Sequence, residues 1–548
     1  MSQTIASDTF LRPSLRVHAA DNVHVALKDL PAGTEIDDNG RRIRLAEAIR
    51  HKHKFALQAL AEGDLVIMYG VTVGRVTRPI AEGGAITTDN LEHSTDSGQA
   101  QARREHWDVP DVSHFQGATF DGYHRPDGRV GTANVWVVVP LVFCENRNIE
   151  VLRQCVADAL GEDPYRDYKR MARELLHGQP DSTPAEKTVH DERLFPNVDG
   201  VRFLTHTLGC GGTDDDALAL CRLLAGYICH PNVAGATVLS LGCQKAQIDM
   251  LRQAVAERDP EGLRPVHYFE QQASRSEDSL IREALSTIFE GLKAANQITR
   301  QPAPLSELSI GVECGGSDGF SGLSANPLVG AVVDRLVALG GSGILSEFPE
   351  LCGVEHELIA RCRDDQVAER FRTLMDAYQK HAAAVGAHFS MNPSPGNVRD
   401  GLITDAMKSA GAAKKGGDSP IVDVLDYTEP AMRQGLNLLC TPGNDVESTT
   451  ALVGSGANLV IFTTGLGTPT GNPIAPVLKV SSNSEMAQRL PDIIDFDAGP
   501  IIRGEAQIAE LADKLLQMCI DTASGRYQPK AVQLTQYDFI PWKRGVSL

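Results

Sequence analysis

Four of the eleven cysteines in this chain follow short apolar runs that are typical of buried strands. They are Cys144 after VWVVVPLVF, Cys210 after VRFLTHTLG, Cys243 after ATVLSLG and Cys314 after LSIGVE. The carboxyl ends of parallel strands open onto a shared crevice where ligands bind, and thiolates suit iron or an iron–sulfur cluster. A cysteine can also simply fill a core. The repeated position, with glycine beside three of the four, favours a metal site.

Polar, glycine-bearing loops follow several of these apolar runs. Cys314 leads into GGSDGFSG, residues 441–445 (TPGND) follow LNLL, and residues 463–470 (TTGLGTPT) follow NLVIF. Glycine frees the backbone, and the amide groups of such loops can cradle an anion. Asp318 in the first loop is a candidate metal ligand or base. Each loop could be only a turn, but their recurrence after strands indicates a binding crevice.

Candidates for proton transfer lie close to the same runs. His206 is on the strand that ends at Cys210, His53 lies in HKHKFAL, and Glu347 and Glu350 lie in SEFPE after the apolar SGIL. Histidine titrates near neutrality and serves both as base and as metal ligand. For each histidine, a hydrogen-bonded structural role is an equal alternative. For the two glutamates, a position at a solvated strand end without a role in catalysis is an equal alternative.

Charge and composition exclude several functional classes. The formal charge of −19 argues against nucleic acid as a partner, because phosphate binding needs a basic surface. We find no apolar run of about 18 residues that would predict a membrane helix, and no signal peptide pattern at the start. The motifs of dinucleotide binding, phosphoryl transfer, serine hydrolysis and zinc proteolysis are absent. We therefore expect a cytoplasmic enzyme with reduced thiols.

The pattern of apolar runs predicts an α/β protein with several domains. Residues 1–92 contain short β-type runs and one helix-like stretch, Arg44–Arg50, and residues 93–117 form a polar linker. Residues 118–302 and 303–548 then alternate strands, loops and helices, which indicates mostly parallel sheets. The charged insert Asp163–Arg193 is expected to be a surface excursion with a short helix.

Several of these segments together resemble the altronate/galactarate dehydratase family. They are THTLGCGG, ECGGSDGFSGLSANP, SEFPELCG, MNPSPGN, LNLLCTPGND and TTGLGTPTG. Residues 1–92 look like the small β-clip (SAF-like) domain of that family. Within the family the chain is most similar to altronate dehydratases, through LNLL-x-x-PGND and Ile494–Gly499 (IDFDAG).

The resemblance implies elimination of water from an aldonate, with D-altronate first, to give a 2-keto-3-deoxy acid. It also implies iron, as Fe²⁺ or a cluster, and a small-molecule sugar acid as the partner; we expect a homo-oligomer. We assign Cys144, Cys210 and Cys243 to the metal, and His206, Glu347 and Asp318 to catalysis. The residues assigned to substrate binding are Ser317, Asn326, Asn397, Asn444, Asp445, Thr468 and His53.

The chain departs from the family where cations are expected. Ala133 and Leu466 stand where relatives carry a basic residue, and residues 87–90 read TTDN in place of His-x-His-Asn. Loss of two cations weakens anion recognition by about 1–3 kcal/mol each. Another aldonate or an aldarate such as galactarate is therefore an alternative substrate. A second candidate function is that of a sulfo-lyase acting on a hydroxy-sulfonate, and a third is that of a sugar-acid-binding regulator without catalysis.

Overall fold

Short antiparallel strands form the amino-terminal domain of the computed structural model, which describes residues 12–95, 103–104, 106–161, 164–178 and 193–548. The strands form three small sheets, of order β1-β2-β5-β8, β3-β4 and β6-β7-β9. Their bounds are β1 (Ser14–Leu15), β2 (Val23–Ala26), β3 (Glu35–Asp38), β4 (Arg41–Arg44), β5 (Lys54–Ala56), β6 (Leu65–Met68), β7 (Val71–Val76), β8 (Ala85–Ile86) and β9 (Leu91–Glu92). Residues 96–102 and 105 of the expected linker lie outside the described residues.

The helix predicted for Arg44–Arg50 is wrong. Strand β4 ends at Arg44, and Ile49 instead pairs with Leu30 in an isolated antiparallel bridge. Leu45 and Ile49 are four residues apart, which imitates the spacing of a helix face. Both are buried in a small core inside this domain, so the spacing comes from a bent, non-helical segment that packs against this core.

A second domain is built on a parallel sheet of order β13-β12-β14-β15. Every residue of β12 and β14 is buried, as expected for central strands that are covered on both faces. The strands are β10 (Thr119–His124), β11 (Val130–Gly131), β12 (Val135–Pro140), β13 (Gly200–Phe203), β14 (Val233–Ser240), β15 (Val266–Glu270) and β16 (Gln301–Pro304). The helices are α1 (Asn146–Leu160), α2 (Arg166–His177), α3 (Asp214–Ile228), α4 (Ile248–Arg258) and α5 (Glu277–Ala295).

The charged insert contains a short helix, α2, none of whose side chains is buried. Residues 163 and 179–192 of the insert lie outside the described residues. Strand β16 pairs with β10 and closes a small antiparallel sheet of order β11-β10-β16 between the second domain and the third.

The third domain is built on a seven-stranded sheet of order β19-β20-β18-β17-β21-β22-β23, in which all pairs are parallel. Its strands are β17 (Ser309–Cys314), β18 (Ser342–Leu345), β19 (Ile421–Leu425), β20 (Gly435–Leu439), β21 (Leu459–Thr464), β22 (Val477–Ser481) and β23 (Phe496–Asp497). Its helices are α6 (Ala325–Ala338), α7 (Glu355–Arg361), α8 (Asp365–Ala384), α9 (Pro395–Arg399), α10 (Asp405–Ala412), α11 (Asp445–Gly454), α12 (Ser484–Arg489), α13 (Gly499–Arg503), α14 (Ile508–Ala523) and α15 (Lys530–Gln533). The predicted α/β class is confirmed.

The seven-stranded sheet has a topological switch point at β17. The chain moves from β17 to β18 on one side and later returns to β21 on the other side. In open α/β sheets, the crevice outside the carboxyl ends of the strands at such a point is where ligands bind. The loops after β17, β18, β20 and β21 therefore surround the expected binding position.

The two parallel sheets present their carboxyl ends on the same side of the molecule. At their amino ends, Asn232 donates to the Asn458 carbonyl at 3.3 Å, and Thr132 donates to the same carbonyl at 2.6 Å. At their carboxyl ends, Arg544 pairs with Asp426 after β19, and the Arg544 backbone amide donates to Asp216 in α3 at 3.1 Å. The crevices of both sheets therefore open in one direction.

Shared apolar cores join the domains. One core contains Val73 of the first domain together with Val312 and Met407 of the third. Another contains Val137 of the second domain together with Phe462 of the third. No helix within the described residues is long and apolar enough to span a membrane.

Candidate active site

The loops after β17, β20 and β21 are in direct contact, and glycines permit the contact. A Cβ atom added to Gly315 would lie 1.9 Å from Asp445 Oδ2, and one added to Gly465 would lie 2.3 Å from Asp318 Cγ. Real Cβ contacts do not come this close, so both carboxylates occupy space that only glycine leaves open. The glycines of these loops therefore bring acidic side chains to the switch point.

A thiol and two carboxylates form the centre of the site. The ligand atoms of Cys314, Glu347 and Glu350 all lie within 4.8 Å of one another, and all three side chains are buried. The Cys314 thiol donates to Glu350 Oε2 at 3.3 Å, and its backbone amide donates to Glu347 Oε2 at 3.2 Å. Glu347 adopts a left-handed backbone conformation with φ of 65°. A non-glycine residue in that region is strained, and such strain clusters at functional sites.

Two buried lysines balance the two carboxylates. Lys408 Nζ lies 2.6 Å from Glu350 Oε1, and Lys415 Nζ lies 2.5 Å from Glu347 Oε2. Burial opposes the charge on both lysines, but the neighbouring acids outweigh it and raise their pKa values. Burial also opposes the charge on Glu350, whose pKa is nevertheless lowered by the two lysines. The centre thus contains compensated charges in an almost dry space.

Glu313 is a third buried acid of this centre. It is fully buried, and its Oε2 accepts from the hydroxyls of Ser448 at 2.7 Å and Ser346 at 3.0 Å. Burial and the neighbouring Glu347 raise the pKa of Glu313 well above its usual range, and burial and Glu350 raise that of Glu347. Oε1 of each carboxyl is buried without another donor among the described residues. A proton on Glu313 that is donated to Glu347 satisfies both oxygens.

Asp445 is the acid of the site that titrates near neutrality. It is the first residue of α11, and its side chain is half-buried. Burial, together with Glu347 and Glu350, raises the pKa of Asp445 to about 7. A carboxylate with a pKa close to the working pH suits general base catalysis. Gly443, two residues before Asp445, brings this loop against Asn392, which donates to Glu350 at 3.2 Å.

The amino-terminal domain completes the site with an inserted lysine. Lys52 Nζ lies 3.0 Å from Asp318 Oδ2 and 3.3 Å from Asp400 Oδ1. Burial opposes the Lys52 charge, but these two carboxylates raise its pKa. Asp318 also accepts from Ser321 at 2.9 Å and from Ser482 at 2.8 Å. Asp318 is therefore an anchor for several loops.

A second lysine of the same strand end is buried without an acidic partner at hydrogen-bond distance among the described residues. Lys54 is fully buried, and its ammonium donates to the carbonyls of Gly401 at 2.6 Å and Lys52 at 3.1 Å. Burial lowers the pKa of Lys54 to about 7. Its side chain ties the amino-terminal domain to the segment that carries Asp400.

Most of the residues assigned to substrate binding have their polar groups in use within the protein. Asn397 donates to the Ser317 carbonyl at 2.7 Å, and Asn326 donates to the Gly411 carbonyl at 3.0 Å. Asn444 caps α11, and the Thr468 amide donates to Thr464 at 3.1 Å. These contacts hold the loops in place. His53 lies half-buried on the other side of the Lys52 loop and bonds the Arg399 carbonyl at 3.1 Å.

The four cysteines that follow apolar runs lie in two different domains, three in the second domain and one in the third. Cys144, Cys210 and Cys243 follow β12, β13 and β14 of the second domain, and all three are exposed. Slight desolvation and the neighbouring Cys210 and Cys243 raise the pKa of the Cys144 thiol, so the three thiols are electrostatic neighbours. Cys314 belongs to the seven-stranded sheet and is buried beside Glu350, so it is separate from the three cysteines that are assigned to the metal.

The three thiols and the oxygens beside Cys144 form a mixed set of candidate metal ligands. Glu145 Oε1 and Asn146 Oδ1, directly after Cys144, are buried and accept no hydrogen bond within the described residues. The three sulfurs are not among the described groups whose ligand atoms all lie within 4.8 Å of one another. Zinc or iron bound by thiolates at about 2.3 Å needs a closer arrangement, whereas a cluster accepts wider spacing.

Both ring nitrogens of His206 are bonded to the backbone. Nε2 donates to the Pro140 carbonyl at 2.7 Å, and Nδ1 accepts from the Leu208 amide at 3.1 Å. Burial lowers the pKa of His206 to about 4, so the ring is neutral. This geometry fixes the loop that leads to Cys210.

The two positions that lack a basic residue lie in different places. Leu466 is 36% exposed in the loop after β21, at the switch point. Ala133 precedes β12 and lies at the amino end of its sheet, beside Asn232. Ala133 is therefore at the opposite end from Cys144, and its interpretation as a substrate-contacting position is wrong.

Sequence reasoning missed the lysines of the site. Lys52, Lys54, Lys408 and Lys415 are all buried or nearly so, although lysine is seldom buried without a partner. The signal in the sequence is weak, because HKHKFA, DAMKSAG and AAKKGG mix lysine with small or apolar residues without a motif.

Family models and curated proteins match nearly the whole chain. "Altronate/galactarate dehydratase SAF domain" matches residues 12–94, "D-galactarate dehydratase/Altronate hydrolase, second domain" matches 122–296, and "D-galactarate/Altronate dehydratase, C-terminal" matches 305–547. Altronate dehydratase of Escherichia coli is 34% identical over 93% of this chain and 95% of its own length. This chain belongs to the altronate/galactarate dehydratase family.

Two further relatives differ from the first in activity. Galactarate dehydratase (L-threo-forming) of Escherichia coli is 32% identical over 93% of this chain and 93% of its own length. The (2R)-sulfolactate sulfo-lyase subunit beta of Chromohalobacter salexigens is 30% identical over 75% of this chain and 94% of its own length. Membership of the family therefore does not by itself determine the leaving group.

Replacing Lys52 with alanine should lower the free energy of unfolding by about 3–5 kcal/mol, because Asp318 would remain buried without its cation. Chemical denaturation followed by circular dichroism measures the change. Lys28→Ala, at an exposed lysine of the same domain, is the matched control and should change stability by less than about 0.5 kcal/mol. Equal stability of Lys52→Ala and the unmodified protein would contradict the buried pairing.

Proposed function

We propose that this protein eliminates water from an aldonate, with D-altronate as the first substrate, to give a 2-keto-3-deoxy acid. The observation that carries the proposal is the 34% identity to an altronate dehydratase over 93% of this chain. The buried group of Glu347, Glu350, Lys408 and Lys415 at the switch point, here called the acid–lysine centre, supports the same chemistry. We also propose that the protein works in the cytoplasm as a homo-oligomer; the eleven cysteines, none in a disulfide, fit a reducing compartment.

The elimination requires a base, an acid and stabilisation of a developing negative charge. The proton next to a carboxylate is weakly acidic, so its removal needs a well-placed base and nearby positive charge. The hydroxyl on the neighbouring carbon then leaves with a proton. The centre offers a carboxylate that titrates near neutrality, a proton shared by two buried carboxyls, and two lysines.

We assign the base to Asp445. It is half-buried at the mouth of the site, and its pKa of about 7 leaves a large fraction ionised at neutral pH. Lys408 and Asn392 lie beside it and are bonded to each other at 2.8 Å. Together they form a polar pair that can hold a substrate oxygen on which negative charge develops.

We assign the proton for the leaving hydroxyl to Glu347, as expected from the sequence, with Glu313 behind it as the reservoir. The raised pKa values of both carboxyls support one proton shared between them at neutral pH, so that the pair keeps the single negative charge that Lys415 balances. Asp318 and His206 become positioning residues in this proposal, because their polar atoms are engaged by Lys52 and the backbone respectively.

We propose that Cys144, Cys210 and Cys243 hold iron, and their spacing favours a cluster over a single Fe²⁺ ion. Their exposure at three strand ends and the unsatisfied acceptors of Glu145 and Asn146 support this assignment. When bound, iron supplies a Lewis acid that polarises the carboxylate and hydroxyl oxygens of a substrate.

A panel of aldonates and aldarates, incubated with anaerobically purified protein and Fe²⁺, tests the function. We expect 2-keto-3-deoxy product from D-altronate and loss of turnover with a chelator. Product from galactarate or another acid would support the dehydratase reaction but assign a different substrate. Leu466 would then be the first position to examine for the change in specificity. No product from any acid would overturn the dehydratase proposal.

A sulfo-lyase on a hydroxy-sulfonate is the second candidate, because a relative with that name covers 75% of this chain. It would use the same proton abstraction with sulfite as the leaving group. Assay of sulfite release from (2R)-sulfolactate separates the two reactions. Protein that binds sugar acids and converts none of these compounds would be a regulator.

The activity of the protein should depend on the ionisation of Asp445. Because its pKa is raised to about 7, kcat/KM should fall about tenfold per pH unit below that value, where the base becomes protonated. Asp445→Asn should lower kcat by roughly 10²–10⁴-fold, and Asp445→Glu should restore part of the rate and an acidic limb. Asp492→Asn, at an exposed carboxylate, is the control. An unchanged acidic limb in Asp445→Asn would contradict the assignment.

Replacing Cys210 with serine should remove iron from the protein. Iron per chain, measured by elemental analysis of anaerobically purified protein, should fall to background in Cys210→Ser. It should be retained in Cys155→Ser, which changes an exposed cysteine on α1. Iron should also be retained in Asp445→Asn, which separates metal binding from proton transfer. Full iron content in Cys210→Ser would contradict the assignment of iron to the three thiols.

A further inference from the structure

A second group of metal-ligand side chains lies where the amino-terminal domain meets the third domain. Ligand atoms of His93, Cys352 and Asp405 all lie within 4.8 Å of one another. His93 directly follows β9, Cys352 lies two residues after Glu350, and Asp405 is the first residue of α10. None of the three takes part in the acid–lysine centre or in the three-thiol group.

The Asp405 carboxylate has no hydrogen-bond donor in the described part of the chain, although it is only 1% exposed. Burial and the neighbouring Glu350 raise the pKa of Asp405 to about 8. The Ser409 hydroxyl, one helical turn further on, offsets this only in part and does not reach hydrogen-bond geometry with either oxygen. Leaving a buried carboxylate unpaired costs several kcal/mol. One of its oxygens lies within 4.8 Å of an imidazole nitrogen of His93 and of the Cys352 sulfur.

Neighbouring charges do not supply the missing cation. Lys408, on the same helix, is engaged by Glu350 at 2.6 Å and by Asn392 at 2.8 Å. Glu355 acts electrostatically on both Cys352 and Asp405, so the surroundings are anionic. Glu355 accepts from the Gly353 amide at 2.6 Å, which holds the Cys352 loop in place.

The structure therefore points to a divalent transition-metal site formed by His93, Cys352 and Asp405, which we propose for Zn²⁺ or an ion of similar size and ligand preference. Imidazole, thiolate and carboxylate are the three ligand types that zinc takes in proteins. Bonds of about 2.0–2.3 Å place ligand atoms roughly 3.3–3.8 Å apart around a tetrahedral ion, which the observed limit of 4.8 Å accommodates with small movements.

Such an ion would clamp three segments that the active centre needs. It would tie the end of the amino-terminal domain to the loop of Glu350 and to the helix of Lys408. Thr404, the cap of that helix, already donates to the Val73 carbonyl of the amino-terminal domain at 2.6 Å. The ion is thus a positioning element for the Glu350–Lys408 pair, and it is independent of the substrate and of the proposed reaction.

Cobalt titration of metal-free protein tests the site. The protein for this titration is the full chain with Cys144→Ser, Cys210→Ser and Cys243→Ser, so that these three exposed thiols cannot bind Co²⁺. We expect one Co²⁺ per chain and a sulfur-to-cobalt charge-transfer band in the near ultraviolet. Addition of Cys352→Ser should abolish the band, whereas Cys362→Ser, at a buried cysteine bonded to the Leu358 carbonyl, should leave it unchanged.

Two further variants keep the test valid if Cys352→Ser does not fold. His93→Gln and Asp405→Asn should weaken Co²⁺ binding by more than the roughly 10–100-fold that loss of an outer partner costs. In the protein that lacks the thiols of Cys144, Cys210 and Cys243, Zn²⁺ should raise the unfolding temperature. It should not do so when His93→Gln is added to that protein. A band that persists in Cys352→Ser, or no binding when all three ligands are present, would overturn the proposal.

Discussion

Charge compensation in a nearly dry space is the constraint on which this active centre depends. Glu347 and Glu350 are each 1% exposed and remain ionisable there only because Lys415 and Lys408 lie within hydrogen-bond distance. Removal of one partner from such a pair leaves an uncompensated buried charge, which costs about 3–5 kcal/mol. The pairing also fixes the geometry, since Lys408 and Lys415 come from the segment 405–416 and the acids from the loop after β18. Any change that separates these two segments therefore alters both stability and the acidity of the centre.

The same principle explains why the amino-terminal domain is part of the site. Lys52 compensates Asp318, and Asp318 in turn accepts hydrogen bonds from Ser321 and Ser482 in two different loops. A domain attached only by an apolar surface could shift without penalty to the centre. A domain that contributes a buried charge cannot, because its movement would leave Asp318 unpaired.

Local patterns in the sequence predicted the strands and the positions of the thiols, because buried parallel strands read as continuous apolar runs. The same patterns cannot say which strands share a sheet, so the common position of all four cysteines after apolar runs does not reveal that Cys314 belongs to a different sheet. The spacing of Leu45 and Ile49 predicted a helix where a bent, non-helical segment exists. Pairings such as Glu350 with Lys408 join residues 58 positions apart and leave no local periodicity. His206 is predicted on a strand that ends at Cys210, but β13 ends at Phe203 and His206 lies in the loop that follows. Its two backbone bonds depend on Pro140 and Leu208, which the pattern does not connect.

The inserted Lys52 loop has a consequence for synthesis of the chain. The amino-terminal domain leaves the ribosome with Lys52 and Lys54 in water, where their charges are fully hydrated. Asp318 follows roughly 270 residues later, a delay on the order of 10–60 s at typical elongation rates. Throughout that interval the domain must persist on its own small core of Leu30, Ile43 and Ile49. Desolvation of the two lysines is then the last step, and it can occur only after the third domain has presented its acids. Maturation of the catalytic centre is therefore coupled to completion of translation.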